Sequence, residues 1–126
     1  MVDARDVAAV SVDALTNRRC EGRTYTLTGP VEYSHRELAA EVSRVLAKKL
    51  PFERTTVTTF LDLIGIPDDT AKLRHFEAVT IDLQEGRLAG ISDAAPTITG
   101  HRLSTVEEFV NEHRSLFELE YATHTA

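Results

Sequence analysis

Apolar residues recur with helical periodicity along five stretches of the chain. In the first stretch, from residue 3 or 6 to about residue 15, they cover two neighbouring faces, which predicts a helix that packs on more than one side. Ser34 with Glu37, and Ser104 with Glu107, have the spacing of capping boxes, so a helix is expected to follow each serine. The other four predicted helices span residues 35–49, 60–64, 67–85 and 105–117.

Two other stretches have the composition of β-strands. Residues 24–28 read Thr-Tyr-Thr-Leu-Thr, which places the tyrosine and the leucine on one face, and Gly29 with Pro30 ends the run. Residues 52–57 form the second predicted strand. A strand, a helix and a strand in this order indicate a βαβ unit with parallel strands. We therefore expect a helix-rich α/β fold with about five helices and two short parallel strands.

Composition and charge narrow the class of protein. The 126 residues suffice for one domain, predicted over residues 1–120 with a frayed tail at 121–126. The net charge of -6 argues against nucleic acid as the main partner. No apolar run reaches the roughly 18 residues of a membrane helix, and no signal peptide is evident. The single cysteine, Cys20, excludes an internal disulfide and fits a reducing compartment, so we expect a cytoplasmic protein that binds neither membrane nor nucleic acid.

The residue types that carry catalysis or hold cofactors form no recognisable pattern. A dinucleotide fingerprint needs clustered glycines between a strand and a helix, and the glycines of this chain lack that arrangement. No tyrosine lies four residues before a lysine, and no two histidines are four residues apart. A surface thiol is the expectation for Cys20. We therefore expect no catalytic residue, no cofactor ligand and no metal ligand in this chain.

Four segments, taken in order, nevertheless match the sequence patterns of one protein family. They read Val-Asp-Ala-Arg-Asp-Val-Ala from Val2, Glu-Gly-Arg-Thr-Tyr-Thr-Leu-Thr-Gly-Pro from Glu21, Glu-Leu-Ala from Glu37, and Thr-Gly from Thr99 followed by Ser-Thr-Val-Glu-Glu-Phe. In these segments the chain resembles the NmrA-like, atypical short-chain dehydrogenase/reductase proteins, which bind NAD(P). In that family the segments follow the glycine-rich cofactor turn and most of the parallel sheet. The resemblance implies the C-terminal part of a Rossmann-type fold, on the substrate side of an NAD(P)-dependent oxidoreductase.

The resemblance also implies positions for a few substrate-binding residues. Val2 and Asp3 match the place where the family's chain leaves the sheet near the nicotinamide end of the cofactor. Phe60, Leu63 and Ile64 match a short helix that often covers the substrate pocket. The alternative is helix capping by Asp3 and core packing by the other four. NAD(P) is the cofactor implied for the family, although this chain lacks the residues that hold it.

Three functions follow as hypotheses. The first is a C-terminal, substrate-side portion of an NAD(P)-dependent oxidoreductase that is inactive alone, as a fragment, a truncated product or half of a split protein would be. The second is a stand-alone binding or regulatory module, and the third is a small enzyme whose site forms across an oligomer interface. Because a two-stranded sheet leaves an open edge, we expect a homo-oligomer or a complex with a separate cofactor-binding subunit through that edge.

Overall fold

A computed structural model describes residues 1–66 and 69–117 of the chain. The predicted tail, residues 121–126, lies outside this part. In chain order the described helices are α1 (Ala4–Thr16), α2 (His35–Leu46), α3 (Val57–Leu63), α4 (Thr70–Gln84), α5 (Ala94–Thr99) and α6 (Val106–Glu112), with a 3-10 turn at Arg18–Cys20. The chain forms two compact units, of which the first joins Met1–Pro51 to the chain from Gly90 onward and the second is Phe52–Ala89. The domain boundary near residue 120 stays a prediction.

Side-chain caps determine where the helices begin. The Asp3 carboxylate accepts the Arg5 backbone N–H at 2.8 Å and so caps α1. The capping box predicted at Ser34 is confirmed, since Ser34 and Glu37 accept each other's backbone N–H groups. Asp69 caps α4 with a single hydrogen bond, in which its carboxylate accepts the backbone N–H of Lys72 at 3.0 Å.

The second capping box lies one residue later than predicted. Thr105 caps α6, because its hydroxyl accepts the Glu108 N–H at 3.2 Å and Glu108 accepts the Thr105 N–H at 3.0 Å. The N–H of Ser104 instead donates to Asp6 of α1 at 2.9 Å. Hydrogen bonds from the Arg102 guanidinium and from the Thr105 N–H lower the pKa of Glu108 to about 2.

The prediction of an α/β fold is wrong, because no strand forms in the part of the chain that the structure describes. Within residues 24–28, no residue makes a backbone–backbone hydrogen bond to another described residue. The alternation of side chains persists, since Tyr25 and Leu27 pack against the core while Thr24 and Thr26 are exposed. A strand needs a neighbouring strand for its ladder, and β propensity alone does not supply one.

The second predicted strand, residues 52–57, is absent for a different reason. Its threonine-rich end starts a helix instead, because the Thr56 hydroxyl accepts the Thr59 N–H at 3.1 Å and α3 begins at Val57. Threonine hydroxyls bind nearby backbone N–H groups readily, and this favours a helix cap over a ladder. The expected βαβ unit is therefore not formed by these two segments.

The core of the first unit lies between α1 and α5. Its buried side chains are Val10, Cys20, Ala95, Ile98 and Leu103. The surface thiol expected for Cys20 is therefore wrong, because the 3-10 turn after α1 places this side chain in the core. Arg19 ties the same turn to α5 by donating to the Ile98 carbonyl at 2.7 Å.

Gly29 lets residues 28–30 lie directly against the start of the chain. The residue is buried, and a Cβ atom built on it would lie 1.8 Å from the carbonyl oxygen of Met1. The same atom would lie 3.6 Å from the Cα atom of Val2. No side chain fits in this space, so a glycine is required for Met1 and Val2 to keep their positions.

The second unit consists of α3 and α4, which pack against each other. Phe60 and Phe76 meet edge to face, with ring centroids 5.6 Å apart. Leu61 is buried on α3, whereas none of the described side chains of α4 is buried. The unit therefore leaves much of its apolar surface exposed.

α1 also carries apolar side chains that are not covered. Val12 is 62% exposed and Leu15 is 87% exposed, although the sequence predicts a helix packed on two sides. The opposite face of α1 is the one that contributes Val10 to the core. None of the helices in the described residues combines the length and the apolar character that a membrane span requires.

Candidate functional site

The first unit contains a groove of about 480 Å³ between α2, α6 and the start of the chain. This volume lies in the range of small-molecule sites. The walls are mostly apolar and include the side chains of Val31, Tyr33, Leu38, Val42, Phe109 and Phe117. Tyr33, Ser104 and Thr105 add hydroxyl groups. The hydroxyl groups of Ser104 and Thr105 already donate to protein carboxylates, at 3.3 and 3.1 Å. The groove can therefore hold an apolar molecule and offer it the Tyr33 hydroxyl as a hydrogen-bond donor.

Helical spacing places the groove side chains on facing stripes of α2 and α6. On α2, Leu38 and Val42 are four residues apart and therefore share one face. On α6, Val106 and Val110 have the same spacing, and Val110 is only 1% exposed. The two helices pack against each other, so the groove has rigid walls.

Arg44 joins the two helices at the groove. Its guanidinium donates to Glu41 of α2 and to Glu107 of α6, each at 2.7 Å, and both carboxylates line the groove. The hydrogen bonds from Arg44 hold the pKa of Glu41 below its usual range, and the two carboxylates raise the pKa of Arg44. Both acids are held in place in this arrangement.

Asp3 caps a helix and also lies at the groove. Its carboxylate caps α1 and is paired with the Arg5 guanidinium at 2.9 Å, and the residue also lines the groove. Arg5 in turn pairs with Glu112 of α6 at 2.6 Å. The hydrogen bonds from Arg5 lower the pKa of Asp3, so this carboxyl group stays ionised at neutral pH.

The structure brings together two of the five substrate-binding residues suggested by the resemblance. Val2 and Asp3 line the groove of the first unit. Phe60, Leu63 and Ile64 belong to α3 and the residue after it in the second unit, where they are 39%, 66% and 45% exposed. Substrate binding by any of the five stays a prediction.

Most of the groove could not be read from the sequence. The periodicity indicates that Leu38, Val42 and Phe109 lie on apolar stripes, which is equally consistent with a core. Glu41 and Glu107 lie next to these stripes in the sequence. Acidic residues beside an apolar stripe are the one sequence feature that points to a groove with a polar rim. Only the packing of α2 on α6 shows that the stripes converge on one groove.

The groove is not suited to the pyrophosphate of NAD(P). That group binds where free backbone N–H groups meet it at a glycine-rich helix start. α1 and α6 begin at the groove, but Asp3 and Thr105 already cap them, and Glu107 adds negative charge to the start of α6. Within residues 1–66 and 69–117, no three His, Cys, Asp or Glu side chains are grouped as a metal site would require.

Comparison with known proteins reveals similarity to reductases. The chain is 32% identical over 119 residues to the NAD(P)H azoreductase of Xenophilus azovorans. It is 34% identical over 120 residues to (4-alkanoyl-5-oxo-2,5-dihydrofuran-3-yl)methyl phosphate reductase of Streptomyces griseus subsp. griseus. Festuclavine synthase II of Penicillium roqueforti is 27% identical over 104 residues. No protein-family model matches the chain, and no solved structure matches it significantly.

The alignments cover most of this chain but less than half of each reductase. Each alignment with the two reductases covers 92% of this chain but only 41% of the reductase. The chain thus spans about two fifths of the length of the relatives it matches. The similarity supports the expected relation to NAD(P)-dependent oxidoreductases, and the chain corresponds to a part of such proteins.

Proposed function

We propose that this chain is the substrate-side, C-terminal portion of an NAD(P)-dependent oxidoreductase and that it is inactive as an enzyme alone. The observation that carries the proposal is the apolar groove of about 480 Å³ in the first unit. Similarity to two reductases along nine tenths of the chain supports it. Val2 and Asp3, which the family resemblance places at the substrate, both line this groove.

The groove has the properties that a substrate site for a reductase requires. Apolar walls reduce the water around a bound substrate, and this strengthens the polar interactions that orient it. The hydroxyl group of Tyr33 can donate a hydrogen bond to a polar atom of the substrate and so orient it. We assign the chain the task of binding and orienting the substrate. The hydride donor would be held by polypeptide other than the described residues.

That polypeptide is either the remainder of a longer protein or a separate cofactor-binding subunit. The exposed Val12 and Leu15 of α1 support an association of this kind, because apolar side chains on one helix face are stabilised when a partner covers them. Phe60, Leu63 and Ile64 belong to the second unit, and a role for them in substrate binding is what the family resemblance implies.

Titration with NADPH separates this proposal, and the hypothesis of a binding or regulatory module, from the third hypothesis, a small enzyme whose site forms across an oligomer interface. We expect no saturable change in nicotinamide fluorescence when the chain alone is added to NADPH, because the helix starts at the groove are capped and acidic. The NAD(P)H azoreductase of Xenophilus azovorans serves as the positive control in the same assay. Saturable NADPH binding by this chain would contradict the proposal and favour a complete small enzyme.

A further inference from the structure

Most polar side chains of the groove are already bound to other parts of the protein. In the described part of the chain, six lining residues have a charged or hydroxyl-bearing side chain, namely Asp3, Tyr33, Glu41, Ser104, Thr105 and Glu107. The Ser104 hydroxyl donates to Asp6 at 3.3 Å. The Thr105 hydroxyl donates to Glu108 at 3.1 Å. A ligand in the groove therefore finds the protons of these two hydroxyl groups already in use.

The three groove carboxylates are paired with arginines. Asp3 pairs with Arg5 at 2.9 Å. The Arg44 guanidinium donates to Glu41 at 2.7 and 2.9 Å and to Glu107 at 2.7 Å. A charged ligand would have to displace one of these pairs or lie between apolar walls without a counter-ion, and both cost free energy. The pairing therefore favours an uncharged ligand.

Two further side chains beside the groove are also bound within the protein. Arg114 donates to the Val45 carbonyl at 2.8 Å and to Asn111 at 3.1 Å. The His113 ring stacks on that of Phe109, with centroids 4.4 Å apart, and its Nδ1 atom lies 2.9 Å from the Phe109 carbonyl oxygen. Neither side chain is directed by these contacts to a charge on a ligand, so an uncharged ligand fits this side of the groove as well.

Tyr33 differs from the other polar residues of the groove. It is partly buried, and its hydroxyl makes no hydrogen bond with another described residue. The capping box at Ser34, the next residue, holds the adjacent backbone in place. A phenol hydroxyl donates one hydrogen bond, and a donor that loses water without gaining a partner costs free energy. A ligand that covers Tyr33 is therefore favoured when it carries an acceptor.

We propose that the groove selects an uncharged molecule with an apolar, ring-containing body and one hydrogen-bond acceptor, such as a carbonyl oxygen, and that Tyr33 determines this specificity. The inference rests on the proposed function, since it names the substrate class of the same groove. It is carried by the Tyr33 hydroxyl, by the paired carboxylates and by the rings of Phe109 and Phe117 in the lining, against which a ring can pack.

Four para-substituted toluenes test this selectivity in an NMR titration of the backbone amides of the chain. They carry an acetyl, an isopropenyl, a carboxylate or a trimethylammonium group, so their sizes are similar. The acetyl and isopropenyl probes have the same shape, and only the oxygen of the acetyl probe accepts a hydrogen bond. We expect both charged probes to bind more weakly than the acetyl probe.

Tyr33→Phe removes the hydroxyl and keeps the ring. We expect it to weaken binding of the acetyl probe about fivefold, the effect of one hydrogen bond between uncharged groups, and to change binding of the isopropenyl probe by less than about twofold. Because each probe is compared between the two proteins, the unequal hydration of the probes cancels.

Tyr25→Phe is the matched control. Tyr25 belongs to the same unit, packs against the core and does not line the groove. This variant should bind both probes as the unchanged chain does, and circular dichroism shows that both variants are folded. A measurement on the unchanged chain needs no variant, because the acetyl methyl protons should give a nuclear Overhauser effect to the ring protons of Tyr33.

The outcomes separate this inference from the function on which it rests. If Tyr33→Phe weakens both probes equally or neither, if a charged probe binds more tightly than the acetyl probe, or if the methyl protons give no effect to Tyr33, the inference is wrong. The apolar substrate groove still stands in these cases, because the isopropenyl probe binds. If none of the probes binds, both proposals are wrong.

Discussion

Replacing Ile98 with alanine is expected to lower the free energy of unfolding by about 2–5 kcal/mol. Ile98 is 6% exposed and lies in the core between α1 and α5, beside Cys20 and Val10. Alanine would remove three carbon atoms and leave a cavity that the surrounding side chains cannot fill completely. Because this core is made of only a few buried side chains, the loss is a large fraction of a typical domain's stability.

The matched control is Ile91→Ala, which makes the same chemical change at a residue that is 61% exposed. Its effect should stay within about 0.5 kcal/mol. Urea denaturation followed by circular dichroism measures both variants under the same conditions. If the free energy of unfolding falls equally in the two variants, Ile98 does not lie in the core as described.

Replacing Gly29 with alanine is expected to destabilise the first unit by about 1–3 kcal/mol and to weaken ligand binding in the groove. The new Cβ atom would lie 1.8 Å from the Met1 carbonyl oxygen, so the backbone of Met1 and Val2 must move. Both residues line the groove, and their displacement changes its shape. We therefore expect Gly29→Ala to lower both the stability of the first unit and the affinity of the groove for its ligand.

Gly22→Ala separates this clash from ordinary glycine effects. Gly22 has φ 68, and a Cβ atom at this residue would meet nothing within 4 Å, so alanine there adds backbone strain without a clash. We expect the free energy of unfolding to fall by about 1 kcal/mol and the affinity for an uncharged apolar probe, para-tert-butylazobenzene, to stay unchanged. Calorimetric titration of both variants supplies the comparison. Undiminished affinity in Gly29→Ala would contradict the role given to Met1 and Val2.

The helices were largely predictable because their signals are local. The cap at Asp3, the capping box at Ser34 and the acidic cap at Asp69 use side chains within three residues of the backbone groups they bind. The second box could not be placed precisely, since Ser104 and Thr105 are both good caps. The hydrogen bond from the Ser104 N–H to the Asp6 carboxylate distinguishes the two, and Asp6 is 98 residues away in the sequence.

The two strand predictions were wrong because a strand depends on residues that are distant in the sequence. Residues 24–28 have the composition and alternation of a strand, and Tyr25 and Leu27 do face the core. The pairing that defines a strand depends on a neighbour, and the local sequence carries no information on whether the chain provides one. The burial of Cys20 and the convergence of α2 and α6 on a groove likewise depend on tertiary packing.

An NMR titration with para-tert-butylazobenzene, an uncharged apolar probe, tests the substrate-side role of the groove most directly. Amide chemical shifts of the chain would be followed as the probe is added. If the groove binds the substrate, the shifts change saturably at groove residues such as Tyr33, Thr105 and Phe109, and they do not change there when NADPH is added instead. Saturable shifts with NADPH, or unchanged shifts at all three positions with the probe, would contradict it.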